Sequence, residues 1–276
     1  MKFPVLCSGW LAGTLCCLGS FQCQGAAAEN GKSARQVVDT MLGREFTAEK
    51  SLRMFLYVSE ERSERTGGHL WIERVAETQA GKLRMLIAED GQALTGERAA
   101  AERARLTVIA EHPGSFEKTA AALKNDEKHA REMLSMLPKA FVLDGMREDG
   151  GFLRIDFRPD PAYAPQSLEE RVIHGMSGSM LIDGQAMRLR RIEGRLPADV
   201  SIGYGLVATI HAGSNFSTTR SREYEDEWKT VALDTDIAGR VIFLKAIGKK
   251  QHAIHRDFKP LPDTISVPQA VAELLK

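Results

Sequence analysis

The strongest constraint on this chain is how its short alternating apolar runs are distributed. They form two blocks, one before and one after a single helical stretch, and turn chemistry separates each run from the next. From Leu52 to Ser63, Met54, Leu56 and Val58 fall on one face, and Arg53, Phe55, Tyr57 and Ser59 on the other. That period of two marks a strand. Thr66-Gly67-Gly68 leads into a second strand over 69–79, and Ala80-Gly81-Lys82 into a third over 83–89, ended by Asp90-Gly91. In the second block, 140–147 and 152–158 flank Glu148-Asp149-Gly150-Gly151, and 179–182 and 186–196 flank Asp183-Gly184, a strong hairpin signal. Further strands are expected over 200–211, 216–225, 230–237, 241–247 and 252–258, with Ala238-Gly239 and Gly248-Lys249-Lys250 as separators. Strands do not alternate with helices along the chain, so a doubly wound parallel sheet is excluded. The pattern predicts an α+β, mainly antiparallel fold: one curved sheet of about ten or eleven strands, too large to stay flat.

The helices are few. Ser33 to Arg44 opens on a capping box of Ser33 and Gln36 and carries Val37, Val38, Met41 and Leu42 on one stripe. The middle, about 95–137, reads as a helical insertion: one helix over 95–110, a break at His112-Pro113-Gly114, and a second from Ser115 to Leu137, stopped by Pro138. Phe116, Ala120, Leu123, Ala130, Leu134 and Leu137 give the second helix one apolar face. Ser167 and Glu170 cap a short helix over 167–173, and 263–276 reads as a tail with a helix over 268–275.

Residues 1–28 read as an address. Lys2 is their one charge, 3–21 is apolar and small, and Ala26-Ala27-Ala28 supplies a cleavage signature before Glu29. The expectation is a secretory signal, a domain over 29–262 and a periplasmic protein. A retained anchor or lipidation stays open, because the apolar stretch approaches the ~20 residues of a membrane span. All 4 cysteines (Cys7, Cys16, Cys17, Cys23) fall in this segment. The body therefore cannot be a disulfide scaffold, a cysteine-ligated metal module or a cysteine-nucleophile enzyme. Lys and Arg number 37 against 37 Asp and Glu, a balance that argues against nucleic acid as a partner.

Motifs for chemistry are weak. Gly175-Met176-Ser177-Gly178-Ser179 lacks the second glycine of a hydrolase elbow. His252 and His255 point to opposite faces of a strand. Asp234 and Asp236 share a face without a third carboxylate, so ion pairing is expected there. Glu60, Glu61 and Glu64 among Arg62 and Arg65 read as a solvated edge, with a paired-carboxylate site as the alternative. Leu189-Arg190-Arg191 and Arg195 form a candidate patch for anionic head groups. No phosphate loop, dinucleotide fingerprint or zinc-protease motif is present, and no cofactor is expected.

The broader signal is the apolar faces themselves. Met54, Leu56, Val58, Met85, Ile87, Met180, Ile182 and Phe243 on strands, with Leu123 and Leu134 on the long helix, are the candidate lining of an apolar cavity under a helical lid. An ordinary core is the alternative reading of the same residues. Methionine, of which there are 10, adapts to irregular apolar ligands.

Phe141-Val142-Leu143-Asp144-Gly145-Met146, Leu153-Arg154-Ile155-Asp156-Phe157-Arg158-Pro159 and Gly178-Ser179-Met180-Leu181-Ile182-Asp183 resemble the paired strands of the outer-membrane lipoprotein-sorting proteins, the LolA/LolB/RseB-like superfamily. Leu189 to Leu196, Val200 to Leu206 and Asp234 to Arg240 extend the likeness, which covers roughly residues 35–259. The resemblance implies an unclosed β-barrel of about eleven strands with helices plugging its open side. It also implies a non-enzymatic function: an apolar cavity for the acyl chains of lipids or lipoproteins. A lipid-responsive sensor with an envelope protein as partner is the alternative, and a hydrolase using Ser177 is a third.

Overall fold

The computed structural model describes residues 32–48, 53–202, 208–241 and 246–276. The expected signal segment and Phe243 lie outside them. The described residues hold helix α1 (Ala34–Ala48), then strands β1 (Phe55–Ser63), β2 (Trp71–Glu77), β3 (Lys82–Glu89) and β4 (Gln92–Ala93). Helices α2 (Gly96–Glu111) and α3 (Pro113–Ala140) follow, then β5 (Phe141–Asp149), β6 (Phe152–Pro159) and α4 (Leu168–His174). The rest is β7 (Ser177–Asp183), β8 (Leu189–Arg195), β9 (Val200–Ile202), β10 (Ala208–Ile210), β11 (Asn215–Tyr224), β12 (Glu227–Val241), β13 (Ala246–Pro260) and α5 (Val267–Leu275).

All strand pairs are antiparallel, in the order β4-β3-β2-β1-β13-β12-β11-β8-β7-β6-β5, with β9 and β10 hung on β12. The sheet is therefore unclosed: β4 and β5 are its two edges. The sheet curls. Lys229 on β12 reaches Glu77 on β2 at 3.0 Å, although β13 and β1 lie between them. A flat sheet would separate those strands by about three spacings of ~4.8 Å. The face on which they meet is the inner face.

Two expected turns are strand instead. Ala238 pairs with Gly248 and Gly239 with Ile247, so the three predicted strands over 230–258 are two long ones, β12 and β13. Gly239 is there for close approach: a Cβ would stand 2.7 Å from the Thr209 carbonyl oxygen of β10. Likewise Pro138 lies inside the last turn of α3 instead of ending it, and its carbonyl accepts from Arg35 on α1. The 263–276 segment does contain the expected helix, and it is packed into the core. Ser266 and Gln269 close a full capping box on α5, and Val267, Ala270, Val271 and Leu274 are buried.

Cross-strand partners share a face, and one row of them fixes the faces across almost the whole sheet. It runs from Glu61 on β1 through Ala253, Leu233, Thr218, Ile192 and Met180 to Ile155 on β6. This row is inner. Leu56, at the opposite parity on β1, is outer, with its partner Ala76. The larger cores at the two ends of the sheet lie on opposite faces. At the β5–β8 end the core is on the inner face, under α1 and the end of α3. At the β1–β3 end the larger core is on the outer face, under α2 and α5, and a smaller cluster of Phe55, Tyr57 and Val75 is buried on the inner parity. Helix α3 connects them: Phe116 near its start packs in the outer cluster, and Met136, Leu137 and Ala140 at its end belong to the inner one.

Candidate functional site

The inner face of β5–β8 is an apolar floor. Phe141, Ile155, Phe157, Met180, Ile182, Leu189 and Ile192 line it, each nearly inaccessible. Period two aims them the same way in β6 and β7, and in β8 a register shift against Leu181 and Ile182 brings Leu189 to the face of Ile192. Val37, Val38, Met41 and Leu42 of α1 cover it together with Leu134, Met136 and Leu137 of α3. These helices hold no place in the sheet's hydrogen-bond ladder, so a cover could leave without breaking a strand pair.

Helix α1 is nonetheless fixed. Glu45, buried in its last turn, accepts from Arg188 Nε at 3.0 Å and Nη2 at 3.1 Å, from the Leu189 amide at 2.9 Å, and from Arg220. Burial alone would raise the Glu45 carboxyl, but the two guanidiniums hold it below the usual carboxylate range. Helix α3 meets α1 through the Arg35 contact and through Arg131, whose guanidinium lies over the Phe46 ring at 5.8 Å.

The inner face of β1–β3 instead sets a buried charge network beside a small apolar cluster, Phe55, Tyr57 and Val75. Glu61 and Glu73, both 3% exposed, share Arg65 and Arg84. Arg65 Nη2 lies 2.8 Å from Glu61 and 2.6 Å from Glu73, and Arg84 Nη1 lies 3.0 Å from Glu73. Burial opposes ionisation of Glu61, and Arg65 and Ser63 overcome it. Beside this network, Tyr57 stacks on Phe258 at 4.9 Å and meets the His255 ring at 5.1 Å. Burial depresses His255, whose Nδ1 lies 2.9 Å from the Thr230 carbonyl. The Ser59 hydroxyl, fully buried between His255 and Glu73, has no hydrogen-bond partner.

The ten residues expected to line one cavity do not share one face. Met54 and Met85, with Leu56 and Ile87 packed beside them, lie in the outer cluster under α2 and α5. Val58 is half-buried on that same outer parity. Met180 and Ile182, with Leu134, lie in the inner cluster. Leu123 is on α3 with its side chain outside the description, and Phe243 lies outside it altogether. The sequence reading treated Glu61 as part of a solvated edge, whereas the structure buries it. It missed Glu73, Arg84 and Arg220, whose only signal is a charge at an inward parity, Glu45, a charge on the apolar stripe of α1, and Arg188, just before β8.

Other candidates fall where ion pairing was expected. Asp234 meets His252, and Asp236 meets Lys250 at 3.3 Å. His255 faces the other way. Ser177 sits within β7, on no elbow. A Cβ at Gly178 would stand 1.9 Å from the Glu193 carbonyl oxygen of β8, which accounts for that glycine. Arg154, Arg191 and Arg195 lie on the outer face of β6–β8 in an open groove of about 550 Å³. Among the described residues no three His, Cys, Asp or Glu side chains gather to hold a metal, and no helix is long and apolar enough to cross a membrane.

Comparison with known proteins adds no name. No family model, no curated protein and no solved structure matches the chain.

Proposed function

We propose that this chain is an exported, periplasmic, non-enzymatic binder that holds the acyl chain of a lipid or lipoprotein against the inner floor of β5–β8. The observation that carries the reading is that floor: an apolar surface at the open side of an unclosed sheet, covered by helices outside the ladder. With α1 tethered through Glu45, the end of α3 is the cover that moves. Magnitudes favour the exchange. Leu134, Met136 and Leu137 contribute about 2 kcal/mol each when buried, about 6 kcal/mol together, whereas a chain burying ten methylenes gains about 8 kcal/mol. The margin is small, which suits a carrier that must release its cargo.

Native mass spectrometry of mature protein from its own periplasm, with displacement of a fluorescent fatty-acyl probe, tests this. Co-purified lipid and saturable probe binding are expected. Protein that is always empty and never binds the probe overturns the reading.

A lipid-responsive sensor is the second reading, and one observation favours it. On the edge of β3, the Leu86 amide donates to Glu102 of α2 at 2.8 Å, and the Arg84 carbonyl accepts from Arg105 at 2.6 Å. Helix α2 thus fills hydrogen-bonding sites on that edge, and only His112 joins it to α3. Movement of α3 would then open a strand edge to a protein partner.

A further inference from the structure

On the face of β6–β8 away from the acyl floor, the open groove is lined by Arg154, Asp156, Ser177, Ser179, Arg191 and Glu193, and continues past Arg195 to Asn215 and Ser217. The registers arrange these side chains in rows across the strands. One row is Ser177, Arg195, Asn215. The next is Asp156, Ser179, Glu193, Ser217. Both carboxylates of the second row are engaged. Asp156 takes Arg147 at 2.8 Å, and Glu193 takes Arg191 at 2.8 Å and Arg154 at 3.6 Å. The acids beyond, Asp234 and Asp236 on β12, are matched by His252 and Lys250.

Arg195 remains. It is exposed, reaches over Gly213, and has no ion-pair partner among the described residues. Its row neighbours are a hydroxyl and a carboxamide, and Ser217 sits diagonally to it in the next row. Asn215 uses one amide hydrogen on the Gly213 carbonyl at 2.9 Å and keeps another. Deeper in the groove, the Arg154 Nε is buried without a hydrogen bond, 3.8 Å from the Asp156 carboxylate, and its Nη2 donates to Ser179 at 2.9 Å. A guanidinium flanked by neutral donors, with each nearby carboxylate already paired, recognises an oxyanion.

We propose that this groove is a binding site for a phosphate group, centred on Arg195 with Ser177, Asn215 and Ser217. It lies on the opposite face of the sheet from the acyl floor and does not depend on that reading. The phosphate belongs to a free phosphorylated solute or to a lipid head group, and the test separates these sources.

Amide chemical shifts of the ¹⁵N-labelled mature protein are followed during titration with inorganic phosphate. Cosedimentation is measured in parallel with vesicles of phosphatidylglycerol and of phosphatidylcholine. Saturable shifts at residues 177, 195, 215 and 217 are expected, weakened about tenfold or more in Arg195→Gln. Arg158→Gln, an exposed arginine of the same face paired with Asp144 at 3.3 Å, is the control and should leave them unchanged. Phosphate binding with sedimentation on phosphatidylglycerol, lost in Arg195→Gln, assigns a head group. Phosphate binding without sedimentation assigns a free solute. No saturable phosphate shifts, or equal loss in Arg195→Gln and Arg158→Gln, overturns the site. Sedimentation on anionic vesicles without phosphate shifts overturns it too, because general surface charge would then suffice.

Discussion

The β1–β3 end and the β5–β8 end of the sheet carry the same alternating pattern and put their larger cores on opposite faces. At β5–β8 the apolar parity points inward, under α1 and α3, and the outer parity is the charged groove of Arg154, Glu193 and Arg191. At β1–β3 the larger apolar core points outward, under α2 and α5, and the inner parity carries the Glu61–Glu73–Arg65–Arg84 network beside the smaller Phe55, Tyr57 and Val75 cluster. The inner face is thus apolar throughout at one end and mixes buried ion pairs with aromatic side chains at the other.

The largest test of that contrast removes the last helix. A chain ending before Ser266 loses Val267, Val271 and Leu274 from the outer core and exposes Leu83 and Met85. At about 2 kcal/mol for each buried side chain, the loss is about 6 kcal/mol, comparable to the whole stability of many domains. The expected outcome is insoluble or molten protein, read by loss of cooperative thermal unfolding. A truncated chain that melts as sharply as the full one would show that the β1–β3 end does not need its outer core.

Glu45→Ala attacks the other end. It strands the Arg188 and Arg220 guanidiniums in a buried site, and breaking a buried pair from one side costs about 3–5 kcal/mol. Urea denaturation should show that loss. The Glu45 carboxyl is held below its ordinary value of 4.5, so folded protein binds that proton less readily than unfolded. Its contribution is therefore complete above about pH 4.5 and is lost as pH falls through the lower folded value. Stability of Glu45→Ala should decline less steeply in acid than that of the parent. Equal slopes would mean that the α1 anchor does not titrate with Glu45.

Most of the fold could be read from the residues because strands and turns are local. The Asp183-Gly184 hairpin, the Ser167 cap and the α1 stripe of Val37, Val38, Met41 and Leu42 all sit where period and cap chemistry put them. The face swap could not be read that way. Met54 and Met180 each look apolar against polar neighbours, and only the register through β13, β12 and β11 shows that they point to opposite sides. The glycines of β12 and β13 misled for a related reason: Gly239 answers a neighbour, Thr209, that is thirty positions away in sequence. The ion networks were hidden because a charge at an inward parity is indistinguishable from an edge charge until its partners are placed.

A smaller effect should separate the two edges. Glu102→Ala leaves the Leu86 amide of β3 uncapped and removes the ion pair of Arg105, which keeps only its bond to the Arg84 carbonyl. One exchanged hydrogen bond near the surface costs about 1 kcal/mol, so the melting temperature should barely move. The sharper readout is association. An uncapped strand edge pairs with another chain, so analytical ultracentrifugation should show concentration-dependent dimers in the variant alone. Variant protein that stays monomeric at the highest concentration would mean that α2 is not what keeps this edge closed.

The smallest expected change is the most informative about the inner face of β1–β3. Ser59 is fully buried, and its hydroxyl bonds to nothing between His255 and Glu73. A buried hydroxyl without a partner carries a desolvation cost and returns no bond, so Ser59→Ala should be neutral or stabilising by up to about 1 kcal/mol. Denaturant midpoints measure this directly. If Ser59→Ala instead costs more than about 1 kcal/mol, the hydroxyl has an acceptor or donor outside the chain, an ordered water or a bound molecule. The β1–β3 inner face would then hold a polar group from outside the chain beside the Glu61–Glu73 network, which the apolar floor of β5–β8 does not.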